Sequence, residues 1–253
     1  MVDIHTHILP GLDDGAMDIC EAIEMIRMAA ECGTDMIVAT PHCNYPGMYD
    51  NYFGKEYIET YERTVKAVEE EGINIKLCPG MEAFATYELP DLIVDGKIMP
   101  LNQSRYILVE FSREEEPDFA DNVLGRMKNV GAKPVIAHAE RYRFVQDNPQ
   151  KVYEWREKGY VIQNNKASFQ GKFGKKAQKA AYYMLERHLT SVVASDAHGI
   201  KCRTTNMEEV HRMLEEKISK KYLNVLFEEN PRRICENLPI ISFKVISIED
   251  MGI

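Results

Sequence analysis

Near its start the sequence sets two histidines one residue apart, His5 and His7, and follows them with the adjacent aspartates Asp13 and Asp14. In an extended strand, residues two apart project from the same face, so both imidazoles point one way. Neutral imidazoles with carboxylates close by are suitable ligands for a divalent metal ion. Matching groups recur downstream, as Pro41-His42, Gly80-Met81-Glu82, Glu110-Phe111, His138-Ala139-Glu140-Arg141 and Asp196-Ala197-His198. His5, His7, Asp14, His42, Glu82, Glu110, His138, Asp196 and His198 are therefore nine candidate ligands, all nitrogen or oxygen. The absence of a thiolate favours manganese, iron or zinc. Nine ligands exceed the needs of one ion, so a cluster of two or three, bridged by a carboxylate, is expected.

The elements that must position these groups alternate along the chain. Apolar, β-branched runs predict strands over Val2–His5, Asp35–Thr40, Ile75–Pro79, Tyr106–Phe111, Lys133–His138, Tyr160–Asn164 and Ser191–Ser195. Their near-continuous hydrophobicity suits parallel strands buried on both faces. Helical spacing predicts helices over Met17–Cys32, Tyr57–Glu71, Phe119–Val130, Pro149–Lys158, Lys175–His188 and Met207–Leu214. Seven strand–helix units in succession argue for one closed or nearly closed β/α barrel. Residues 239–253 form a tail of unassigned role. Barrel enzymes carry their chemistry at the C-terminal ends of the strands, and six of the seven expected strands end there in His, Asp or Glu.

The bulk properties narrow the partners. The formal charge of −9 over 253 residues speaks against nucleic acid as the main ligand. No apolar run reaches the length of a membrane span, and no signal-peptide pattern opens the sequence. The six cysteines are scattered without a C-x-x-C pair, which points to reduced thiols in the cytoplasm. A cysteine-dependent phosphatase needs an arginine six residues after its thiolate. Ile26, Val38, Tyr49, Phe84, Glu208 and Ile241 hold those positions here, so that chemistry is excluded.

The motifs D-I-H-T-H, P-H, G-x-E and S-D-A-H resemble those of the polymerase-and-histidinol-phosphatase (PHP) superfamily. The segments His5–Gly15, Glu110-Phe111 and Ile136–Tyr142 resemble one branch of it, the metal-dependent protein-tyrosine phosphatases of Gram-positive capsule and exopolysaccharide operons. The likeness covers about residues 1–238, including Glu229-Asn230-Pro231-Arg232. It implies that residues 1–238 form a distorted seven-stranded β/α barrel of TIM-like, PHP type with a trinuclear metal site, manganese foremost and iron or zinc as alternatives. His5, His7, Glu82 and Asp196 would hold the first ion. Bridging Glu82, with Glu110 and His138, would hold the second, and Asp14, His42 and His198 the third. Arg141 and Arg203 match arginines expected to hold phosphate. The implied substrate is phosphotyrosine in protein, on the tail of a cognate bacterial tyrosine kinase that controls polysaccharide export, hydrolysed by a metal-bound hydroxide. A small-molecule phosphatase such as histidinol-phosphatase is the alternative, with a DNA exonuclease and a non-enzymatic metal-binding scaffold as more distant readings.

Several residues carry a bland reading beside the chemical one. Arg141 suits phosphate, or pairs with Glu140 or Glu110. His42 or His198 could protonate a leaving group. Asp13 reads as a turn or capping residue, and His188 and His211 as plain helix residues. Tyr45, Tyr49, Tyr52, Phe53 and Tyr57 either wall an aromatic leaving group or pack their loop. Glu114–Glu116 read as a solvated loop, or as an attraction for a basic peptide.

Overall fold

The computed structural model describes residues 1–246. Nine short parallel strands make a curled sheet: β1 (Val2–Thr6), β2 (Met36–Ala39), β3 (His42–Cys43), β4 (Lys76–Pro79), β5 (Glu82–Phe84), β6 (Tyr106–Glu110), β7 (Lys133–Ile136), β8 (Val161–Asn165) and β9 (Val192–Ala194). They lie in two ladders, β1-β2-β4 and β3-β5-β6-β7-β8-β9. The expected α/β class with parallel strands is present. The expected second and third strands end, within one residue, where β2 and β4 do, and β3 and β5, two short strands beyond Pro41 and Gly80, were not anticipated.

Both breaks have local causes. Pro41 interrupts the second strand because it has no N–H to give a ladder, and there Thr40 turns its side chain into the sheet, its hydroxyl accepting from Thr6 N at 2.9 Å. At Gly80 the Tyr57 hydroxyl fills the gap. It donates to the Gly80 carbonyl and accepts from the Gly80 amide, both at 2.9 Å. A Cβ on Gly80 would meet Val38 Cγ1 at 2.7 Å. Each break re-aims the next residues, and the short strands beyond them begin with His42 and Glu82. At the sheet's other end β9 returns to β1. Asp196 N donates to His5 O at 2.9 Å, His7 N donates to Ala197 O at 2.8 Å, and Thr6 bridges Ala197.

Helices cover the sheet: α1 (Ile19–Glu31), α2 (Lys55–Glu70), α3 (Leu89–Val94), α4 (Pro117–Asn129), α5 (Arg143–Asp147), α6 (Lys151–Glu157), α7 (Lys166–Phe169), α8 (Lys175–Glu186), α9 (Glu208–Glu215), α10 (Lys220–Asn224) and α11 (Asn230–Cys235). Asp18 caps α1 by accepting from Glu21 N. Alternate strand residues divide the core, as strand periodicity requires. Val2, Ile4, Val38, Leu108, Val135, Val161 and Val192 gather into one cluster. Ile37, Val109, Ile136 and Ile162 join the helices in the other.

The long helices fall where the spacing placed them, within two residues at each end. The short α3, α5, α7, α10 and α11 were not anticipated. Lys175–His188 is shorter than expected: His188 lies past the end of α8 in a left-handed conformation (φ 58°), so it is not the plain helix residue expected. His188 Nδ1 meets the Lys244 carbonyl at 3.0 Å and its ring packs on Tyr222 and Phe243. His211 lies within α9 as expected. Residues 239–246 have no helix or strand, and are held by Asn230, which accepts from Ile241 N at 2.7 Å, and by Arg187. The rest of the expected tail lies outside the described residues.

Candidate metal centre

Glu82 is the hub of the site. It is fully buried, and its Oε2 lies 3.2 Å from His5 Nε2, 3.2 Å from His7 Nε2 and 3.1 Å from His42 Nδ1. Its Oε1 lies 3.1 Å from His138 Nε2. Around it the structure gathers four overlapping sets: His5, His7 and Asp196; His5, Glu82 and His138; His42, Glu82 and Glu110; and His7, Asp14, His42 and His198. All nine candidate ligands thus lie together. The grouping differs from the expected one in two ways: His7 also reaches the Asp14–His42–His198 set, and Glu82 is gathered with Glu110 through His42 and with His138 through His5, not with both at once.

The donor chemistry fits divalent cations. Glu82 Oε2, His42 Nδ1, Glu110 Oε1 and His198 Nε2 are buried without a hydrogen-bond partner. His42 Nδ1 is 2.9 Å from Glu110 Oε1, close as an ion pair, yet neither atom makes a hydrogen bond. Unpartnered buried acceptors are costly unless something positive satisfies them.

Electrostatics divides the five histidines of the site into three that are raised, His5, His7 and His42, and two that are lowered, His138 and His198. Burial disfavours charge on His5, but Glu82 and Asp196 hold its pKa up to about 9. His42 is likewise raised to about 10 against burial, by Glu82 and Glu110. Burial, with Arg141, lowers His138 to about 4, and burial, with His7, lowers His198 to about 4. Glu110 is raised by burial and by Glu82 beside it. Asp196 stays below the usual carboxylate range despite burial, held by His5 and Arg203.

The surrounding residues orient the rings. Asp13 does more than turn the chain. Its Oδ1 accepts from Gly15 N at 2.9 Å, while its Oδ2 meets His7 Nδ1 at 2.6 Å and accepts from His42 N at 2.8 Å. Gln163 Oε1 lies 3.1 Å from His5 Nδ1 and accepts from His138 N at 2.8 Å. A carboxylate or amide oxygen on Nδ1 leaves Nε2 as the free lone pair, which is how ligand imidazoles are usually oriented. Gly15 is required by close approach, since a Cβ there would meet His7 Cβ at 2.5 Å. His138 (φ 32°), Asp196 (φ 51°) and Arg203 (φ 50°) all occupy left-handed backbone that is uncommon outside glycine.

Arg141 and Arg203 converge on Asp196, Arg141 Nη1 donating at 3.0 Å and Arg203 Nη2 also donating. The anticipated pairing of Arg141 with Glu140 or Glu110 is replaced by this one. Glu140 is committed elsewhere, to Asn164, the Asn165 amide and Ser168. Tyr142 completes the H-x-E-R-Y segment by donating to Ala137 O and accepting from Phe111 N, tying two strand ends together. Arg203 sits in a loop closed by His198 N donating to its carbonyl at 2.7 Å. Lys166 supports that loop through the carbonyls of Thr204 and Asn206, each at 2.5 Å.

A cleft of about 460 Å³ opens above the ligands, and Tyr45, Met48, Tyr49, Arg113, Arg141 and Arg203 line it. Tyr49 stacks on His42, rings 5.4 Å apart and 9° from parallel. The aromatic loop therefore splits. Tyr45 and Tyr49 face the cleft, while Tyr52 donates to Asn44 and Tyr57 is buried under Gly80. Sequence reasoning missed Gln163, Asn165, Lys166 and Arg113. The first three lie in the run Gln163-Asn164-Asn165-Lys166, a polar end on an otherwise apolar strand, and that was the available signal.

The comparisons with known proteins agree with this geometry. Residues 1–236 match the family described as capsular polysaccharide synthesis, CpsB/CapC. The chain belongs to the CpsB/CapC family. Its similarity to tyrosine-protein phosphatase YwqE of Bacillus subtilis is 35% identity over 240 residues, covering 95% of this chain and 93% of YwqE. To tyrosine-protein phosphatase CpsB of Streptococcus pneumoniae it is 32% over 239 residues, covering 92% and 98%. A solved structure from work on YwqE and CpsB as unique metal-dependent tyrosine phosphatases superposes with a TM-score of 0.90 at 34% identity, covering 98% of this chain and all of that one. The resemblance drawn from the motifs is therefore borne out at the level of family. Among the described residues, no helix is long and apolar enough to cross a membrane.

Proposed function

We propose that this CpsB/CapC chain is a metal-dependent phosphatase of tyrosine-phosphorylated protein. It acts in the cytoplasm on the tail of a tyrosine kinase that governs polysaccharide export, and its curled sheet is a seven-stranded barrel of the PHP type with two split strands. The observation that carries the reading is Glu82 touching four histidines directly beneath a cleft in which two arginines converge. The return of β9 to β1 supports barrel closure.

Three divalent ions, manganese foremost, match the number and chemistry of the nine donors. His5, His7, Glu82 and Asp196 would hold one, Glu82, Glu110 and His138 a second, and Asp14, His42 and His198 a third. When bound, such ions supply an activated water at neutral pH and offset charge on phosphoryl oxygens. Arg141 and Arg203 hold the phosphoryl group at the rim, where a guanidinium fork matches its oxygens. Tyr45 and Tyr49 pack against the phenol ring. The leaving phenolate has a pKa of about 10, so its demand for a proton is modest, and His42 or His198 is placed to meet it.

The test compares rates on a phosphotyrosine peptide and on histidinol phosphate, before and after EDTA. EDTA should abolish activity and manganese should restore it better than magnesium, which prefers all-oxygen sites. Iodoacetamide should leave activity largely intact. Preference for histidinol phosphate, or full activity in excess chelator, would overturn the reading.

A further inference from the structure

We propose that a second cleft beside the candidate active site, built on Arg113, Arg141, Arg143, Lys172 and Phe173, binds an anionic side chain adjacent to the phosphotyrosine on the same peptide. The proposal rests on the tyrosine-phosphatase reading above. The cleft measures about 470 Å³ and shares Arg113 and Arg141 with the first, so the two are contiguous. None of the nine candidate metal ligands lines it. It is therefore a place for a second anion, not for the phosphate undergoing hydrolysis.

Its charge is opposite to that of the molecule. Four cationic residues face one carboxylate, Glu114, in a chain whose formal charge is −9. The cations are crowded: Arg141 beside Arg113, with burial and Arg203, pushes the Arg113 guanidinium down from its ordinary pKa. Among the described residues Arg113 makes no side-chain hydrogen bond or ion pair. Phe173 forms a plate under the arginines, its ring centre 4.4 Å from the Arg141 guanidinium carbon and 6.0 Å from that of Arg203. Such stacking holds a guanidinium's edge toward its ligand. Arg143 is occupied by Glu114 at 2.9 Å, but both are largely exposed, and exposed pairs of this kind are weak. An incoming carboxylate or phosphate can take the place of Glu114. Glu114 thus holds the cleft in reserve.

The test uses the metal-loaded full chain and four phosphotyrosine peptides that differ only in the neighbouring residue: Glu, phosphoserine, Ala or Lys. The parent should show about five- to tenfold higher kcat/KM for the Glu and phosphoserine peptides than for the Lys peptide, mainly through KM, shrinking with added salt. Arg143→Ala with Lys172→Ala should abolish that preference and leave p-nitrophenyl phosphate hydrolysis unchanged. Glu114→Gln should tighten binding of the Glu peptide about two- to threefold. Fluorescence anisotropy with a non-hydrolysable phosphotyrosine analogue in the same four contexts reads the cleft without turnover. If phosphotyrosine is not hydrolysed but the anisotropy preference persists, the catalytic reading fails and the cleft stands. Equal binding of all four peptides to the parent, or a preference that survives the double substitution, overturns the cleft.

Discussion

Arg141 stands where the metal ligands meet the open cleft. It gives one nitrogen to Asp196, rests on Phe173 and lines both clefts. If it reads phosphate, Arg141→Ala should keep the ions and the fold but lose a contact that tightens in the transition state. On the scale of an oxyanion donor that costs about 2–4 kcal/mol, or roughly thirty- to a thousand-fold in kcat/KM. Lysine keeps the charge without the fork and should rescue only part. Near-normal kcat/KM in the alanine variant, or lost ions, would make Arg141 a structural partner of Asp196. Glu82 and Asp14 allow a second comparison. Glu82 contacts four histidines from a buried position, whereas Asp14 is half exposed and lies 3.5 Å from both His42 and His198. Mass spectrometry should find fewer ions per chain in Glu82→Ala than in Asp14→Ala, and equal occupancy would remove Glu82 from its bridging role. All nine candidate ligands were legible in the sequence because His, Asp and Glu recur just past the apolar runs that read as strands. Gln163 was not, because an amide is chemically unremarkable until a histidine is seen against it.

At the scale of elements, the site depends on where strands stop. The long helices and the strand starts were readable from periodicity, since a buried stripe or a buried run repeats over many residues. The strands that resume after Pro41 and Gly80 were not, because they are only two and three residues long and Tyr57 completes the second break from a helix more than twenty residues away. The short α7 was likewise hidden, being set by Asn165 capping Ala167 N at the end of a strand. The loop after β1 gives a direct test. Gly15 packs against the backbone and Cβ of His7, and Ala16 N donates to His7 O at 3.0 Å. Gly15→Ala must therefore displace His7 or the loop. The expected result is loss of bound ions and of most activity, with the far-ultraviolet circular dichroism of the helices retained. An alanine variant with full metal content would show that the loop yields without moving His7.

The molecule as a whole concentrates opposite charges in one small buried volume, and this links its stability to pH. His5 and His42 have folded pKa values raised to about 9 and about 10, above the unfolded value of about 6.5. Their contribution is fully present below about 6.5 and is lost as pH rises through 9 to 10. His138 and His198 are lowered to about 4. The unfolded chain takes up their protons near 6.5 while the folded chain does not, so stability also falls as pH drops from about 6.5 toward 4. Asp196 and Asp14, both held below the usual carboxylate range, add to the loss on the acid side. The metal-free chain should thus be most stable near pH 6–7, and its melting temperature should decline on both sides. Divalent ions need neutral imidazoles and ionised carboxylates. Loading at pH 7 should therefore release protons, His5 and His42 among their sources, and the melting temperature of the loaded form should no longer fall between pH 7 and 9. Calorimetric titrations in two buffers of different ionisation heat would count those protons. A melting temperature of the metal-free chain that rises steadily to pH 9, with no proton released on loading, would show that Glu82 and its neighbours do not hold those two rings charged.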